Sequence, residues 1–337
     1  VIGVCQGRPV SITGLASYAP ERVLTNDDLA RMVATSDEWI RTRTGIRERR
    51  IAAPEQATSD LSLPACEQAL AQAGVAASEL DLLIVATITP DTLFPSTATT
   101  LTDRLGATRA AAFDLSAGCT GFMYGLAQGY GAIKAGLAQR VLVVGADTLT
   151  RVTDWSDRST CVLFGDGAGA AVLEEVDEGG FLDFELGAEG SGGNQLIMRA
   201  GGSRLPASTE TVAARQHYIE MNGREVFKFA TRILVASAEA ALEAVGKTIG
   251  EVDLYVPHQA NLRIIDHAAK KLGVEEERVF VNVDRYGNTS SASIPLALVD
   301  ARVEGRLREG DLVLMTGMGA GLTWGSSLIT WTGRKAR

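Results

Sequence analysis

Three residues stand where their types could do chemistry: Cys119 in "DLSAGCTGFMYG", His258 in "LYVPHQAN" and Asn288 in "DRYGNTSSASIP". Each has an ordinary alternative. A free cysteine is commonly core packing, a histidine ahead of a helix commonly caps it or satisfies a core group, and asparagine in "YGN" is a usual turn residue. As a set they describe a nucleophile and two donors. The run "CTGFMYGLAQGYGAIKAGL" predicts a long helix beginning at Cys119, with Phe122, Leu126 and Ile133 on its inner face. A thiol at a helix N-terminus feels the positive end of the macrodipole, which favours thiolate. An imidazole and a carboxamide are neutral donors suited to a developing enolate or alkoxide oxygen, where a carboxylate at position 288 would repel the charge. Pro257 fixes φ just before His258, and Gly287 with the small residues of "TSSAS" leaves room for a neighbouring backbone.

A repeat positions these residues. "QALAQAGVAASELDLLIVAT" (68–87) is echoed by "AALEAVGKTIGEVDLYVPHQ" (240–259), with Leu70 matching Leu242, Gly74 Gly246, Glu79 Glu251 and Asp81 Asp253, each displaced by 172. The same displacement pairs Gly145 in "RVLVVGAD" with Gly317 in "DLVLMTGM", and "AAFDLSAGC" corresponds to "VFVNVDRYGN" at about 169. Each half reads helix, strand, strand, helix, strand. Leu61, Ala65, Ala69 and Ala73 repeat by four with Gly74 as the stop, whereas "LLIVA" and "RVLVVG" are the short apolar runs of strands buried on both faces. The alternation predicts an α/β fold with a mostly parallel sheet covered by helices, built as two pseudo-twofold related βαβαβ-type halves. In this register Cys119, His258 and Asn288 fall at corresponding strand ends, where functional groups gather in open α/β sheets, and a pseudo-twofold brings them together. The division is placed at 186/187. Residues 1–186 carry the cysteine; residues 187–337 open on a Gly-rich surface loop region, 187–222, and carry the histidine and asparagine.

A chain of 337 residues suits two domains or one large fused core. Its 46% apolar and 22% charged content is that of a soluble globular protein. No apolar run approaches the roughly 18 residues of a membrane span, and "VIGVCQG" has neither the basic start nor the apolar core of a secretory signal. Cys5, Cys66, Cys119 and Cys161 form no C-x-x-C pair and have no histidine at metal-ligand spacing. Free thiols in a reducing cytoplasm, with no metal, are expected. A net charge of −9 disfavours general nucleic-acid binding. "GDGAGA" (165–170) and "GMGAG" superficially suggest a dinucleotide loop, but the first runs on into "AVLEEV", which reads as a strand where such a loop must open a helix.

From "ITGLASYAPERVLTNDDL" to "TWGSSL" the sequence resembles the β-ketoacyl-acyl carrier protein synthase III group of the thiolase-fold condensing enzymes. The motifs that carry the resemblance are "TSDEWIRTRTGIRERRIA", "DLSAGCTGF", "DRSTCVLFGDGAGAAVL", "VPHQANLRI" and "YGNTSSASIPLAL". It implies a thiolase-like fold with a layered αβαβα core, and a Cys119, His258, Asn288 triad that opens type II fatty acid synthesis by a ping-pong condensation. A short acyl-CoA, such as acetyl-CoA, acylates Cys119. Malonyl-acyl carrier protein is then decarboxylated, and the enolate attacks to give 3-ketoacyl-acyl carrier protein, CoA and CO2. The resemblance further implies an oxyanion hole at the backbone N–H groups of Cys119 and Ala320, and support of His258 by Asn261. Trp39 and Arg158 would sandwich the CoA adenine, with Arg43 and Thr44 nearby. Phe164, Met221, Phe227 and Met318 would line the acyl pocket, capped by Phe94 across a homodimer interface. No cofactor is implied, acyl-CoA being a substrate.

The elongating synthases' second histidine has no counterpart, since His217 and His267 lie outside any such motif. The thiolases' second cysteine is missing too, because none follows Cys161. Plant-type polyketide synthases share the triad but lack the "SDEWI-T-TGI" pattern. One departure is the loop "GMGAGLTW", where the family often has Phe-Gly-Gly-Gly; Met318 and Ala320 there bear on primer preference. Arg263, His267, Lys270 and Lys271, at i, i+4, i+7 and i+8, form a basic stripe on an acidic protein. The stripe suits docking of an acidic carrier protein, with a merely solvated face as the plain alternative. A noncatalytic partner subunit would usually have lost the nucleophile, whereas a polyketide-priming synthase or a tailoring acyltransferase would keep it.

Overall fold

Every residue of the strand Val141–Thr148 (β6) is buried. That is why "VLVVGAD" shows no alternation: both of its faces are covered. The computed structural model describes residues 7–332. β6 and Ala111–Leu115 (β5) both pair in parallel with Leu82–Ala86 (β4). Asp166–Glu175 (β7) runs antiparallel to β6, and Val10–Tyr18 (β1) antiparallel to β7, giving the order β1-β7-β6-β4-β5. A second sheet sets Leu254–Pro257 (β11) parallel to Leu312–Gly319 (β12), then Thr323–Thr330 (β13) and Gly180–Ala188 (β8) antiparallel, in the order β11-β12-β13-β8. Two short pairs lie outside these sheets: Arg22–Thr25 (β2) with Glu48–Ile51 (β3), and Leu196–Ile197 (β9) with Glu220–Met221 (β10).

Helices make three layers around the two sheets. Thr58–Ala73 (α3) and Thr97–Leu105 (α4) pack on the outer face of the first sheet, with Leu61, Ala65, Ala69 and Ala73 all buried and Gly74 ending α3 at φ 61°. Gly121–Lys134 (α5) and Ser293–Val303 (α11) fill the space between the sheets, where Phe122, Leu126 and Ile133 are buried. Each such side chain contributes about 2 kcal/mol of burial. Gly223–Ala244 (α8) and Leu262–Leu272 (α9) cover the outer face of the second sheet. The αβαβα layering of a thiolase-like fold is therefore present. Small residues bring the layers together: a Cβ on Gly145 of β6 would lie 2.3 Å from Ser291 O, and one on Gly125 of α5 would lie 2.7 Å from Val143 Cγ1.

Three expectations are corrected. The sheets are mixed rather than mostly parallel, because β12 turns back into β13 across only Ala320–Leu322, and so short a connection forces antiparallel pairing. In the first half the helix α4 also separates β4 from its partner β5, where strand directly following strand was expected, and in the second half α9 follows β11. "VFVNV" is not a strand. Val279 makes one isolated bridge to Tyr255, and the buried Gln259 side chain then takes over, accepting from the N–H groups of Asn282 and Val283 and donating to Phe280 O. These backbone groups are satisfied without a neighbouring strand, and the chain turns into the short helix Val283–Tyr286 (α10). The division at 186/187 falls inside β8, whose pairing with β13 joins the whole strand to the second sheet. Cys66, Cys119 and Cys161 are buried free thiols; Cys5 lies outside the described residues. No helix among the described residues is long and apolar enough to cross a membrane.

Candidate active site

Cys119 sits in a single 3-10 turn, Gly118–Thr120, which runs directly into α5. The turn is pinned at Ala117 O, which accepts from Thr120 Oγ1 (2.6 Å) and Thr323 Oγ1 (2.9 Å). Gly118 has φ 55°, and a Cβ there would lie 2.7 Å from Ala320 N; a Cβ on Gly319 would lie 2.4 Å from Cys119 N. The two loops thus meet backbone to backbone, as the small residues around Cys119 imply. Consequently the backbone N–H groups of Cys119 and Ala320 stand beside the sulfur and favour its anion.

Burial dominates the thiol. It pushes Cys119 up to about 11, with the charge of nearby Asp147 adding to the rise and the Ser290 hydroxyl and the two backbone donors opposing it. Desolvation outweighs these donors, so the resting nucleophile is held toward the thiol, where the helix N-terminus was expected to favour thiolate. Asp147, at the end of β6, is fully buried; its Oδ1 accepts from Thr87 Oγ1, Ile88 N and Thr89 Oγ1, and its Oδ2 from Ser291 N and Oγ. One oxygen therefore serves the first half of the chain and the other the second.

His258 follows β11 and is 1% exposed. Burial pulls it down to about 4, so the ring is neutral. Its Nδ1 lies 2.5 Å from Ser293 Oγ, while Nε2 has no hydrogen-bond partner among the described residues. Ser293 Oγ accepts from Gln259 N (3.3 Å) and keeps its own proton to give to Nδ1; in that tautomer the neutral ring carries its proton on Nε2. Asn288 is held at three points: its N–H donates to Leu163 O (2.8 Å), its carbonyl accepts from Gly165 N (3.0 Å), and its Oδ1 accepts from Ser290 N (2.9 Å). Fixing Oδ1 in this way identifies the amide nitrogen as the group left to act as donor.

Two cavities meet at Cys119. A chamber of about 470 Å³ is walled by Ile88, Leu149, Val152, Phe164, Leu196–Met198 and Ile219, with Gly118 and Ala320 beside the sulfur. A narrower cavity of about 200 Å³ contains Cys119, His258 and Asn288 together with Trp39, Arg43 and Thr44. The three residues singled out by chemistry are thus brought together. Trp39 and the two arginines also converge, with the Arg43 and Arg158 guanidiniums 4.5 and 4.8 Å from the centre of its ring.

Other expected roles are distributed differently. Of the residues assigned to the acyl pocket only Phe164 lines the larger chamber; Met221, Phe227 and Met318 line the narrower cavity, because Met318 on β12 faces α8 and packs with Val226, Phe229 and Ile264. Phe94 is 86% exposed and lines neither. Asn261 makes no hydrogen bond to His258. It caps α9 at Arg263 N and donates to Arg43 O, while Ser293 holds the imidazole. Arg263, Lys270 and Lys271 are exposed on α9, with Asp266 among them, and Arg263 stacks over Phe227. Among the described residues no group of three His, Cys, Asp or Glu is placed to hold a metal ion. Asp147, Ser290, Ser293 and the chamber wall other than Phe164 were not foreseen. For Asp147 a signal existed: it follows Gly145 in the repeat, at a strand's carboxyl end.

Known proteins resemble this chain over nearly its whole length. Residues 113–190 match the family described as 3-Oxoacyl-[acyl-carrier-protein (ACP)] synthase III, and residues 242–331 its C-terminal part. The chain is 59% identical over 325 residues to a Beta-ketoacyl-[acyl-carrier-protein] synthase III from Symbiobacterium thermophilum, covering 96% of this chain and 98% of that one. The solved structure of a synthase III from Thermus thermophilus is 52% identical, with a TM-score of 0.90 over 96% of this chain and all of that one. The priming β-ketosynthase from the R1128 polyketide biosynthetic pathway is 38% identical, with a TM-score of 0.90 over 99% of both chains.

Proposed function

Because the chain belongs to the β-ketoacyl-[acyl-carrier-protein] synthase III family, the initiating condensing enzymes of fatty acid synthesis, we propose a division of labour across its two cavities. The observation that carries it is the Cys119 sulfur in the wall between an apolar chamber and a cavity holding two neutral donors. An acyl-CoA enters by the narrower cavity. The sulfur bonds to the thioester carbonyl carbon, the oxyanion is held by the N–H groups of Cys119 and Ala320, the C–S bond to CoA breaks, and CoA departs with the thiol proton. The acyl chain then rests in the chamber. Malonyl-acyl carrier protein takes the vacated cavity, its bond to the carboxylate breaks, and CO2 leaves. The electron pair becomes an enolate, whose oxygen accepts from His258 Nε2–H and the Asn288 amide. The enolate carbon attacks the acyl carbonyl, and collapse of that adduct expels the Cys119 sulfur, which regains a proton.

Trp39, Arg43, Thr44 and Arg158 form the nucleotide end of the entrance, and a base entering between Trp39 and Arg158 has to part them. The exposed cations of α9 receive the carrier protein. The reaction needs no cofactor. A homodimer is supported by the free outer edge of β5, where Phe113 is 41% exposed, and by the exposed Leu93 and Phe94. The buried free cysteines fit a cytoplasmic protein. A chamber of about 470 Å³ is larger than an acetyl group needs, which favours a second reading: priming with a longer or branched acyl group, in fatty acid or polyketide synthesis.

The experiment is intact-protein mass after incubation with a panel of acyl-CoAs, followed by malonyl-acyl carrier protein. Wild type gains one acyl mass, Cys119→Ala gains none, and the best primer is the one whose adduct disappears fastest into 3-ketoacyl product. Acylation of Cys119→Ala at the wild-type rate would end the assignment.

A further inference from the structure

Arg49 on β3 is fully buried, and among the described residues it has no ion-pair partner. Its neighbour Glu48 is paired with Arg50 instead. The guanidinium spends its donors on neutral oxygens: Val162 O (2.8 Å), Asn26 Oδ1 (2.9 Å) and Leu24 O (3.1 Å), with Nε left over. Burial brings it down to about 10, so it remains a cation at neutral pH. A buried charge with no ion-pair partner in contact is costly even with Glu48 nearby, and an apolar side chain of similar volume would hold a core at less expense.

Two of these bonds tie Arg49 to Leu24 and Asn26, and the third, with the stem, leads to Asn288. Val162 opens the strap 162–165, whose next residue, Leu163, accepts from Asn288 N, and whose Gly165 N–H donates to Asn288 O. The stem of Arg49 packs against the same bridge from the side: a Cβ on Gly165 would lie 3.1 Å from Arg49 Cβ, and one on Gly287, at φ 65°, would lie 3.4 Å from it. Both glycines therefore face the arginine, one on each chain of the bridge. The donors facing the Cys119 sulfur come from the 118–120 turn, Ala320 and the Ser290 hydroxyl, and the hydrogen bonds of Arg49 reach none of them.

We propose that Arg49 is a positioning residue for Asn288: it fixes the strap against which the amide is aligned, and so serves decarboxylation and condensation rather than self-acylation. The inference rests on the reading of Asn288 as an enolate donor. Its test uses the whole enzyme, with Arg49→Met, Arg49→Lys, Asn288→Ala and the Arg49→Met/Asn288→Ala double variant. Self-acylation by acyl-CoA is followed by mass, and decarboxylation of malonyl-acyl carrier protein by its conversion to acetyl-acyl carrier protein. Arg49→Met lowers decarboxylation roughly tenfold or more while self-acylation stays within about twofold, Arg49→Lys recovers part of the loss, and the double variant is no slower than Asn288→Ala alone. If Arg49→Met does not fold, Arg49→Lys and its pairing with Asn288→Ala make the same comparison. Equal loss of both half-reactions, or losses that multiply in the double variant, overturns the role of Arg49 while Asn288→Ala keeps its selective defect. If Asn288→Ala itself slows both half-reactions alike, the reading of Asn288 fails and the inference falls with it.

Discussion

The two halves build their parts of the site from different materials. Around Cys119 two main-chain N–H groups, set by loops that touch through Gly118 and Gly319, act beside a single side chain, the Ser290 hydroxyl. Around His258 and Asn288 the donors are side chains, and each is aimed by something else: Ser293 behind the imidazole, and Ser290 N–H with the 162–165 strap behind the amide. The difference teaches where each half is fragile. A main-chain site is indifferent to most side chains and intolerant of any added bulk; a side-chain site degrades gradually as its supports are removed.

The largest break of this comparison should come from Gly319→Ala. Its new Cβ would stand 2.4 Å from Cys119 N, so one of the two loops must retreat and the N–H groups lose their aim. Loss of such donors is expected to slow self-acylation about 10²–10³-fold, read as the rate of acyl mass gain. A normal rate would mean that the sulfur does not depend on that contact. The donor half should instead reveal itself through pH. His258 binds a proton only near pH 4 when folded, against 6.5 when free, so acidification through that window favours the unfolded chain. Between pH 6.5 and 4 this residue alone should cost roughly 2.5 kcal/mol of folding stability. Denaturant midpoints of wild type and His258→Gln at the two pH values measure it, the variant losing less; parallel losses would contradict a buried neutral ring. The gentlest change is Ser293→Ala. It frees Nδ1 to carry the proton in place of Nε2, and decarboxylation should fall about tenfold, or about 1.4 kcal/mol, with self-acylation untouched. A drop in both rates would erase the distinction between the halves.

What sequence made visible follows the same division. Cys119, His258 and Asn288 stood out because the repeat places them at matched positions, beside residues with special backbone demands: Gly118 at φ 55°, Pro257 and Gly287 at φ 65°. The layers were legible because strands buried on both faces are apolar throughout and α3 keeps its four-residue period. The acyl chamber was not. Ile88, Leu149, Val152, Met198 and Ile219 come from loops after strands and from the segment 187–222, where no periodicity records which side chain faces inward. The strand expected at "VFVNV" failed for a related reason, since a single buried glutamine took the place of a neighbouring strand. Asn261 was misassigned because its position beside His258 in sequence conceals that its side chain turns toward the end of the helix Asp37–Thr44 (α2), which carries Trp39 and Arg43.

A nucleophile that rests as a buried thiol near pKa 11 is also a durable one. At pH 7 only on the order of 10⁻⁴ of it is thiolate, and oxidation to sulfenic acid proceeds through that form on exposed sulfur. Peroxide therefore finds little to react with in the idle enzyme, and what lowers the reactivity of Cys119 between turnovers also protects it from oxidative loss.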